Sequence, residues 1–291
     1  MSRTSGLHSA LKAHLKRTLR QGRGAISGAA ARIMTHTSRG PRFYGAFMTR
    51  EAALAAMPED RRAGYDDETI ADVSFEQMCE RMPWDYPIIF WLDRVLSGLP
   101  DPPSDDAATR PSVGQRDERV AAIDAGGHLG TKYIAFSDVL DLTRLTWTVH
   151  DLPGITRAAE RAQAEGRIPA AISFEPEAAS LPPADILLAS GLLQYLDRPF
   201  AEFVAGLHKR PRYILLNKVA LRDGPTTFTI ERIGQGRVPY QIRDKTAWHQ
   251  EINEMGYEIV DQWRIPGLGH VITTHPALGM SESRGYMLKL K

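Results

Sequence analysis

The sequence predicts an α/β fold built on a mainly parallel sheet and preceded by a helical N-terminal region. From Val120 onward, short apolar runs alternate with polar helical stretches, which is the pattern of βα units on a parallel sheet. The chain ends in a strand, a short connection and a second strand, which predicts a hairpin that closes the sheet. With 291 residues and 43% hydrophobic side chains, the chain can bury one large core and support an appendage.

Residues 1–42 form a basic arm. Ten Lys and Arg and no Asp or Glu occur up to Arg50, which leaves 26 basic and 35 acidic residues, or −9, for the remainder. Leu7, Leu11, Leu15 and Leu19 recur every four residues, which predicts a basic amphipathic helix. Such a helix is typical of peripheral contact with an anionic membrane or an acidic partner, of a transit peptide, or of a solvated helix packed on the main domain. The sequence alone does not distinguish these interpretations.

Residues 43–118 are predicted to be a helical cap and a linker. A turn over Arg42–Gly45 precedes a short helix within Phe47–Met57, for which Thr49 is a suitable N-cap. A helical stripe then extends from Ser74 to Leu99. Prolines and aspartates between residues 98 and 115 favour a loop, which places a domain boundary near residue 118.

Residues 119–291 are predicted to be the α/β domain, in which strands and helices alternate. The predicted strands are Val120–Asp124, Leu145–His150, Ala171–Phe174, Asp185–Ser190, Arg212–Val219, Tyr257–Trp263 and Gly285–Leu290. The clearest helices between them are Ile155–Glu165, Phe200–His208 and Thr246–Met255.

The first of these strands delivers a carboxylate, Asp124, to a glycine-rich loop. Gly126, Gly127 and Gly130 allow a sharp turn and a close approach of a ligand to the backbone. The dinucleotide fingerprint Gly-x-Gly-x-x-Gly fails here, because His128 stands where its second glycine is required. A carboxylate repels a pyrophosphate but attracts a cofactor that carries an ammonium and a sulfonium. S-adenosylmethionine fits that description.

Two further strand ends agree with a nucleotide-type site. Asp151 follows the second strand, where doubly wound nucleotide folds hold ribose hydroxyls. The fourth strand leads into Ser190–Leu196, beside the first strand at the switch point of the sheet, from which side chains reach cofactor and substrate.

Together these elements resemble class I S-adenosylmethionine-dependent methyltransferases, and most closely a bacterial family associated with surface-polysaccharide genes. The resemblance covers residues 43–291 and is carried by the glycine loop, by Phe43–Phe47 with the helix after it, by Gly64–Asp66 and by Ser190–Leu196. It implies a Rossmann-like, doubly wound, seven-stranded and mainly parallel sheet. It also implies methyl transfer to a sugar, a glycan intermediate or another small molecule, and thus a role in polysaccharide biosynthesis.

The resemblance also implies a cofactor site. By this resemblance, the glycine loop surrounds the methionyl part of S-adenosylmethionine, Asp151 holds its ribose, and Glu175 or Glu177 lies near its adenine. The expected cofactor-binding residues are Asp124, Gly126, Gly127, His128, Gly130, Asp151, Leu152, Glu175, Ser190 and Gly191.

This chain departs from the methyltransferase pattern at the position of the expected general base. Small-molecule O-methyltransferases commonly carry a histidine after the fourth strand, and Gln194 stands there in this chain. An amide orients a nucleophile but does not take a proton at neutral pH. The catalytic candidates are therefore Gln194, Tyr195 and His249. Two alternatives stay open: an inactive methyltransferase-like scaffold and a nicotinamide-dependent reductase.

Composition excludes several other classes. Cys79 is the single cysteine, so neither a disulfide framework nor a cysteine-based zinc site can form within one chain. His270 and His275 lack metal-ligand spacing and no metal is predicted. No apolar run is long enough to cross a bilayer, so the chain is not expected to span a membrane. The expected location is the cytoplasm, and peripheral membrane contact through the arm is one of the alternatives left open above. The acidic remainder disfavours nucleic acid as a partner.

Overall fold

The computed structural model describes residues 40–58, 75–98, 120–233 and 236–291. Residues 44–291 belong to one compact unit. The predicted amphipathic helix, the Gly64–Asp66 motif and the proline-rich linker lie outside the described residues. In the parts that are described, no helix has the length and apolar character needed to cross a membrane.

The N-terminal region begins with a strand, β1 (Phe43–Phe47), where the sequence predicted a turn at Arg42–Gly45. That prediction was wrong, because β1 pairs with a strand that lies far away along the chain, β7 (Thr227–Ile233). Helix α1 (Arg50–Ala55) follows, and the predicted cap is confirmed: the Thr49 hydroxyl accepts a hydrogen bond from Ala52 N at 3.1 Å.

The predicted helical stripe over residues 74–99 is split into two helices. Helix α2 covers Phe75–Met78 and helix α3 covers Tyr86–Ser97, with a 3₁₀ turn over Pro83–Asp85 between them. Proline lacks the N–H that an interior helical position needs, so each proline here opens a new element instead of continuing one. On α3, the Trp91 indole donates to Asp261 at 2.8 Å and ties the cap region to the sheet.

Nine strands and four helices follow. The strands are β2 (Val120–Ala125), β3 (Leu145–His150), β4 (Ile172–Phe174), β5 (Ile186–Ser190), β6 (Tyr213–Arg222), β7 (Thr227–Ile233), β8 (Gly236–Asp244), β9 (Tyr257–Arg264) and β10 (Glu282–Leu290). The helices are α4 (Thr131–Phe136), α5 (Pro153–Ala164), α6 (Phe200–Ala205) and α7 (Lys245–Glu254).

The main part of the sheet has the order β4-β3-β2-β5-β6-β10-β9. Strands β4, β3, β2, β5 and β6 pair in parallel, whereas β10 runs antiparallel to both β6 and β9. The predicted mainly parallel α/β sheet and its closing hairpin are confirmed. The chain leaves β2 toward β3 and β4 on one side and returns to β5 on the other, so the switch point lies between β2 and β5.

Three strands extend this sheet beyond the seven that were predicted, giving ten in the described part of the chain. Strands β7 and β8 form a hairpin, β1 borders β7, and β8 pairs in parallel with the end of β6, where Leu221 lies opposite Arg243. Strand β7 alternates polar and apolar side chains from Thr227 to Glu231, but its polar side chains, Thr227, Thr229 and Glu231, are buried. A half-buried strand normally buries the apolar set, so this strand was not predicted.

Two hydrophobic layers cover the two faces of the sheet. Ile123 and Leu187 pack with residues of α6 and α7 on one face, and Ala122 and Leu188 pack with residues of α3 and α4 on the other. Because side chains alternate along a strand, Asp124 shares a face with Ala122. The carboxylate at the end of β2 therefore lies on the face covered by α3 and α4.

Candidate functional site

The expected site residues stand at the carboxyl ends of neighbouring strands. In the parallel registers, Asp124 of β2 lies beside Val149 of β3 and beside Leu188 of β5. Ser190, the last residue of β5, lies beside Asn217 of β6. The structure thus brings the glycine loop, the Asp151 turn and the Ser190–Gln194 segment to one edge of the sheet at its switch point.

The glycine loop closes tightly around the Asp124 carboxylate. Gly126 has a φ of +70° and its N–H donates to His150 O at 2.8 Å, which joins the loop to the end of β3. A Cβ at Gly127 would lie 2.6 Å from both Cγ and Oδ2 of Asp124. Only glycine at residue 127 leaves room for that carboxylate.

His128 adopts the left-handed conformation that its place in the loop demands. Its φ is +56°, a value that few residues other than glycine adopt. Its backbone N–H donates to Asp151 Oδ2 at 2.8 Å, so the loop is held to β3 a second time. A histidine is therefore compatible with this loop geometry.

Asp151 serves the loop in a way that the sequence analysis did not foresee. Its Oδ1 accepts a hydrogen bond from Leu152 N, and its Oδ2 accepts the bond from His128 N, each at 2.8 Å. A carboxylate oxygen can accept two hydrogen bonds. The expected contact between Asp151 and ribose hydroxyls stays a prediction with which this geometry is compatible.

Glu175 closes the turn after β4. Its N–H donates to Val149 O at 2.9 Å, and its carboxylate accepts from Glu177 N at 2.8 Å. The carbonyl of Glu175 lies 2.9 Å from Nδ1 of His150. Glu175 therefore stands next to the end of β3, one strand beyond Asp151, and Glu177 is exposed on the same turn.

Asp124 is the residue with the most unusual environment. It is 1% exposed, and its Oδ2 has no hydrogen-bond partner in the described structure. Burial raises the pKa of its carboxyl to about 7, the Asp151 carboxylate also raises it, and Lys132 and Trp147 lower it. An unpaired buried carboxylate is costly. A cationic ligand group at this position would satisfy it.

A buried ion pair, which the sequence analysis missed, anchors the cap region beside this loop. The Lys132 ammonium lies 2.8 Å and 2.9 Å from the two carboxylate oxygens of Asp85, whose side chain is 0% exposed. Asp85 Oδ2 also accepts from Met82 N at 3.0 Å. The pair therefore fixes the 3₁₀ turn before α3 to the start of α4.

Further buried polar atoms at this edge lack partners. Among the described residues, Ser190 Oγ at the end of β5, Gln194 Oε1 after it and Trp84 Nε1 on the cap side find no hydrogen-bond partner. The backbone carbonyl of Trp84 accepts from Asn217 Nδ2 at 2.9 Å, which places Trp84 against the middle of β6. Because buried polar groups are normally satisfied, their accumulation here indicates a ligand-binding edge.

The catalytic candidates separate into two groups. Gln194 is buried beside Gly191, and the hydroxyl of the adjacent Tyr195 donates to Glu231 at 2.7 Å. His249 instead lies on α7, where its Nε2 is 3.3 Å from the Tyr286 hydroxyl. Burial lowers the pKa of His249, as do two neighbouring cations, Arg284 and Lys245. The contacts of His249 thus belong to the β10 side of the sheet, and its catalytic role stays a prediction.

Substituting Gly127 tests the steric fit of the loop. We expect Gly127→Ala to lower the free energy of unfolding by about 1–3 kcal/mol, because the new Cβ would overlap the Asp124 carboxylate. Chemical denaturation measures this change. Gly98→Ala is the control: Gly98 has an ordinary φ of −84°, and a Cβ there would meet nothing closer than 3.5 Å. Equal stability changes in the two variants would show that the loop tolerates a side chain at residue 127.

Comparisons with known proteins give neighbours in fold alone. No protein-family model matches the chain, and no curated protein matches it. Among solved structures, the 1,6-didemethyltoxoflavin-N1-methyltransferase of Burkholderia thailandensis, solved with 1,6-didemethyltoxoflavin and S-adenosylhomocysteine, shares 16% identity over 77% of this chain and 87% of its own, with a TM-score of 0.46.

Two further neighbours are more distant in sequence. An O-methyltransferase family 2 protein of Planctomyces limnophilus, solved with apigenin, shares 15% identity over 78% of this chain and 62% of its own, with a TM-score of 0.41. An S-adenosylmethionine-dependent methyltransferase of Methanosarcina mazei shares 11% identity over 60% of this chain and 93% of its own, also with a TM-score of 0.41. A function for this chain therefore has to be inferred from its own residues at the strand edge.

Proposed function

We propose that this protein is an S-adenosylmethionine-dependent methyltransferase that acts on a small molecule, such as a sugar or a glycan intermediate. The observation that carries the proposal is the Asp124 carboxylate, which is buried, has an unpaired oxygen and is enclosed by a loop in which Gly127 cannot be replaced without a clash. S-adenosylmethionine carries an ammonium that would give this carboxylate its missing partner.

The other residues at the edge have complementary roles in this proposal. Asp151 holds the glycine loop in position through His128 N and has acceptor capacity left for ribose hydroxyls. Glu175, one strand further, would face the adenine. The pyrophosphate of a nicotinamide cofactor would instead meet the Asp124 carboxylate, whose charge repels it.

Methyl transfer makes modest demands on the protein. The bound cofactor supplies a methyl group on an activated sulfonium, so the chain has to align an unprotonated nucleophile with it and exclude water. Gln194, buried with an unpaired Oε1 at the end of the segment after β5, is placed to orient an acceptor that carries a hydrogen-bond donor. An amide serves this purpose, since orientation requires no proton transfer.

Isothermal titration calorimetry tests the proposal. We expect S-adenosylmethionine and S-adenosylhomocysteine to bind with a stoichiometry of about one per chain, and we expect NADH not to bind. The absence of binding for both adenosyl compounds would overturn the proposal. Binding of NADH in their place would favour the reductase alternative.

The same titration is expected to depend on pH. Since only ionised Asp124 attracts the ligand ammonium and its pKa is raised to about 7, the affinity for S-adenosylhomocysteine should rise from about pH 6 to about pH 8. The groups that act on Asp124 are Lys132 and Trp147, which lower its pKa, and Asp151, which raises it. Asp124→Asn should flatten the profile. A wild-type affinity that is constant over this range would contradict the role given to Asp124.

A further inference from the structure

Lys218 occupies a β-bulge in β6, close to the segment after β5 that carries Gln194. Val219 of β6 lies opposite Arg284 of β10, and Leu216 lies opposite Tyr286. Two residues of β6 thus face one residue of β10 between these pairs, which defines a bulge at Asn217 and Lys218. Lys218 has a φ of +59°, which is uncommon for a residue other than glycine. Strain of this kind persists where the surrounding structure enforces it, and it clusters at binding sites.

The bulge redirects the Lys218 side chain. On β6, Ile214 and Leu216 belong to the hydrophobic layer under α6 and α7, and strict alternation would place residue 218 in that layer as well. Val219 and Leu221 occupy the layer instead. The alternation therefore shifts by one residue at the bulge, and Lys218 is released from a core position.

Lys218 stands where β6 passes from one neighbouring strand to another. The pairing of β5 with β6 ends at Ser190 and Asn217, and β6 meets β8 only from Leu221 onward. The side chain passes over Gly191: a Cβ on this glycine would lie 3.6 Å from Lys218 Cδ and 3.8 Å from Gln194 Nε2. Lys218 and Gln194 thus border the same short stretch of backbone after β5.

The ammonium of Lys218 has an aromatic neighbour but no bound carboxylate. Its Nζ lies 5.4 Å from the ring centroid of Trp84, and no described residue accepts a hydrogen bond from it. Asp85, whose charge acts on Lys218, already binds Lys132 through both carboxylate oxygens. Burial lowers the pKa of Lys218 to about 8, as does Lys132, so its ammonium is still mostly protonated at neutral pH. The Lys218 ammonium therefore carries a positive charge that no described carboxylate binds.

The charges at the strand edge are divided between its two halves. The ends of β2, β3 and β4 supply the carboxylates Asp124, Asp151 and Glu175, which suits a cationic methyl donor. The end of β5, the segment after it and the bulge within β6 supply a hydroxyl, an amide and the Lys218 ammonium. The second half is therefore suited to an electron-rich or anionic molecule.

We propose that Lys218, held by the bulge against Trp84 and Gly191, binds an anionic oxygen of the methyl acceptor, so that the substrates of this protein are small molecules that carry a carboxylate or a similar anion. This inference rests on the proposed methyltransferase function, because it identifies the β5 and β6 half of the edge as the acceptor half. Lys218 is then a substrate-binding residue that determines specificity by charge.

Matched pairs of small probes test this inference on the full-length protein saturated with S-adenosylhomocysteine. Benzoate and benzamide have nearly the same shape but differ in charge. We expect wild-type protein to bind benzoate about tenfold more tightly than benzamide in calorimetric or ligand-observed NMR titrations. The preference should disappear in Lys218→Met and persist in Lys218→Arg.

Two further variants complete the design. Lys209→Met is the control, because Lys209 lies 52% exposed in an ion pair with Asp185, and this variant should keep the preference for benzoate. Lys218→Gly removes the ammonium while favouring the left-handed backbone, so it replaces Lys218→Met if that variant does not fold.

Each result has a defined meaning. An equal affinity of wild-type protein for the two probes, or no binding of either, overturns the inference, and so does a preference that survives in Lys218→Met and Lys218→Gly. A loss of S-adenosylhomocysteine binding in the Lys218 variants also overturns it, because Lys218 would then serve the cofactor. Failure of wild-type protein to bind S-adenosylhomocysteine in the first place contradicts the proposed function instead, so the two failures are distinguishable.

Discussion

Replacing Asp124 by Asn is expected to weaken the binding of S-adenosylhomocysteine by about 10- to 100-fold. The substitution preserves the shape of the side chain but removes the negative charge, and a hydrogen bond to a charged group contributes about 1.5–3 kcal/mol. The stability of the ligand-free protein should change little or increase, because the carboxylate is buried and one of its oxygens has no partner to lose.

The measurement is a calorimetric titration of the variant at a pH above the pKa of Asp124, with thermal unfolding recorded in parallel. Asp197→Asn is the matched control, since Asp197 is 62% exposed and lies on the loop after β5. An Asp124→Asn variant that folds normally and binds as tightly as wild type would refute the assignment of Asp124 to the ligand ammonium.

Replacing Asp85 by Asn is expected to lower the free energy of unfolding by about 3–5 kcal/mol, which is the usual cost of leaving one member of a buried ion pair without its partner. The Lys132 side chain is only 10% exposed and would lose a carboxylate that binds it at 2.8 Å and 2.9 Å. The single amide oxygen of Asn cannot replace both carboxylate oxygens, of which Oδ2 also accepts from Met82 N.

Urea denaturation of two further variants separates charge from packing. Glu165→Gln breaks an exposed pair with Arg167 and should cost less than about 1 kcal/mol. The double variant Asp85→Leu with Lys132→Met removes both buried charges and should recover much of the stability lost in Asp85→Asn. If Asp85→Asn proves no more destabilising than Glu165→Gln, the ion pair does not hold the cap region to α4.

The parallel strands could be predicted from the sequence because their signal is local. Most strands from β2 to β6 contain a short apolar run that ends at a glycine, a carboxylate or a polar turn, whereas β3 alternates apolar and polar residues. Either pattern lies within the strand itself. The Asp124 loop could be predicted for the same reason, since its carboxylate and its glycines are consecutive in the sequence. Because the carboxyl ends of parallel strands lie at one edge of a sheet, Asp151 and Ser190 were expected at the same edge as Asp124.

The hairpin of β7 and β8 could not be predicted in this way. Its buried face includes Glu231 and Arg237, which would be expected on a surface, and their burial depends on tertiary partners such as the Tyr195 hydroxyl on Glu231. Strand β1 depends in turn on β7. The hydrophobic pattern of a segment does not predict a strand whose buried polar groups have their partners in another element.

The site residues that were not predicted, Asp85, Lys132 and Lys218, likewise depend on partners in other elements. Asp85 and Lys132 are 47 residues apart, and nothing in either segment indicates that they meet. Lys218 interrupts the apolar run of β6, and a single charged residue within a strand is only a weak signal of a binding site. Its significance comes from the bulge, and the bulge exists only in the pairing of β6 with β10.

A crystal structure of the protein with S-adenosylhomocysteine would show whether Asp124 binds the ligand ammonium. We expect the ammonium within hydrogen-bonding distance of Asp124 Oδ2, the ribose beside Asp151, and the sulfur facing the half of the edge that carries Gln194 and Lys218. A ligand bound elsewhere, with Asp124 still unpaired beneath the glycine loop, would contradict this expectation.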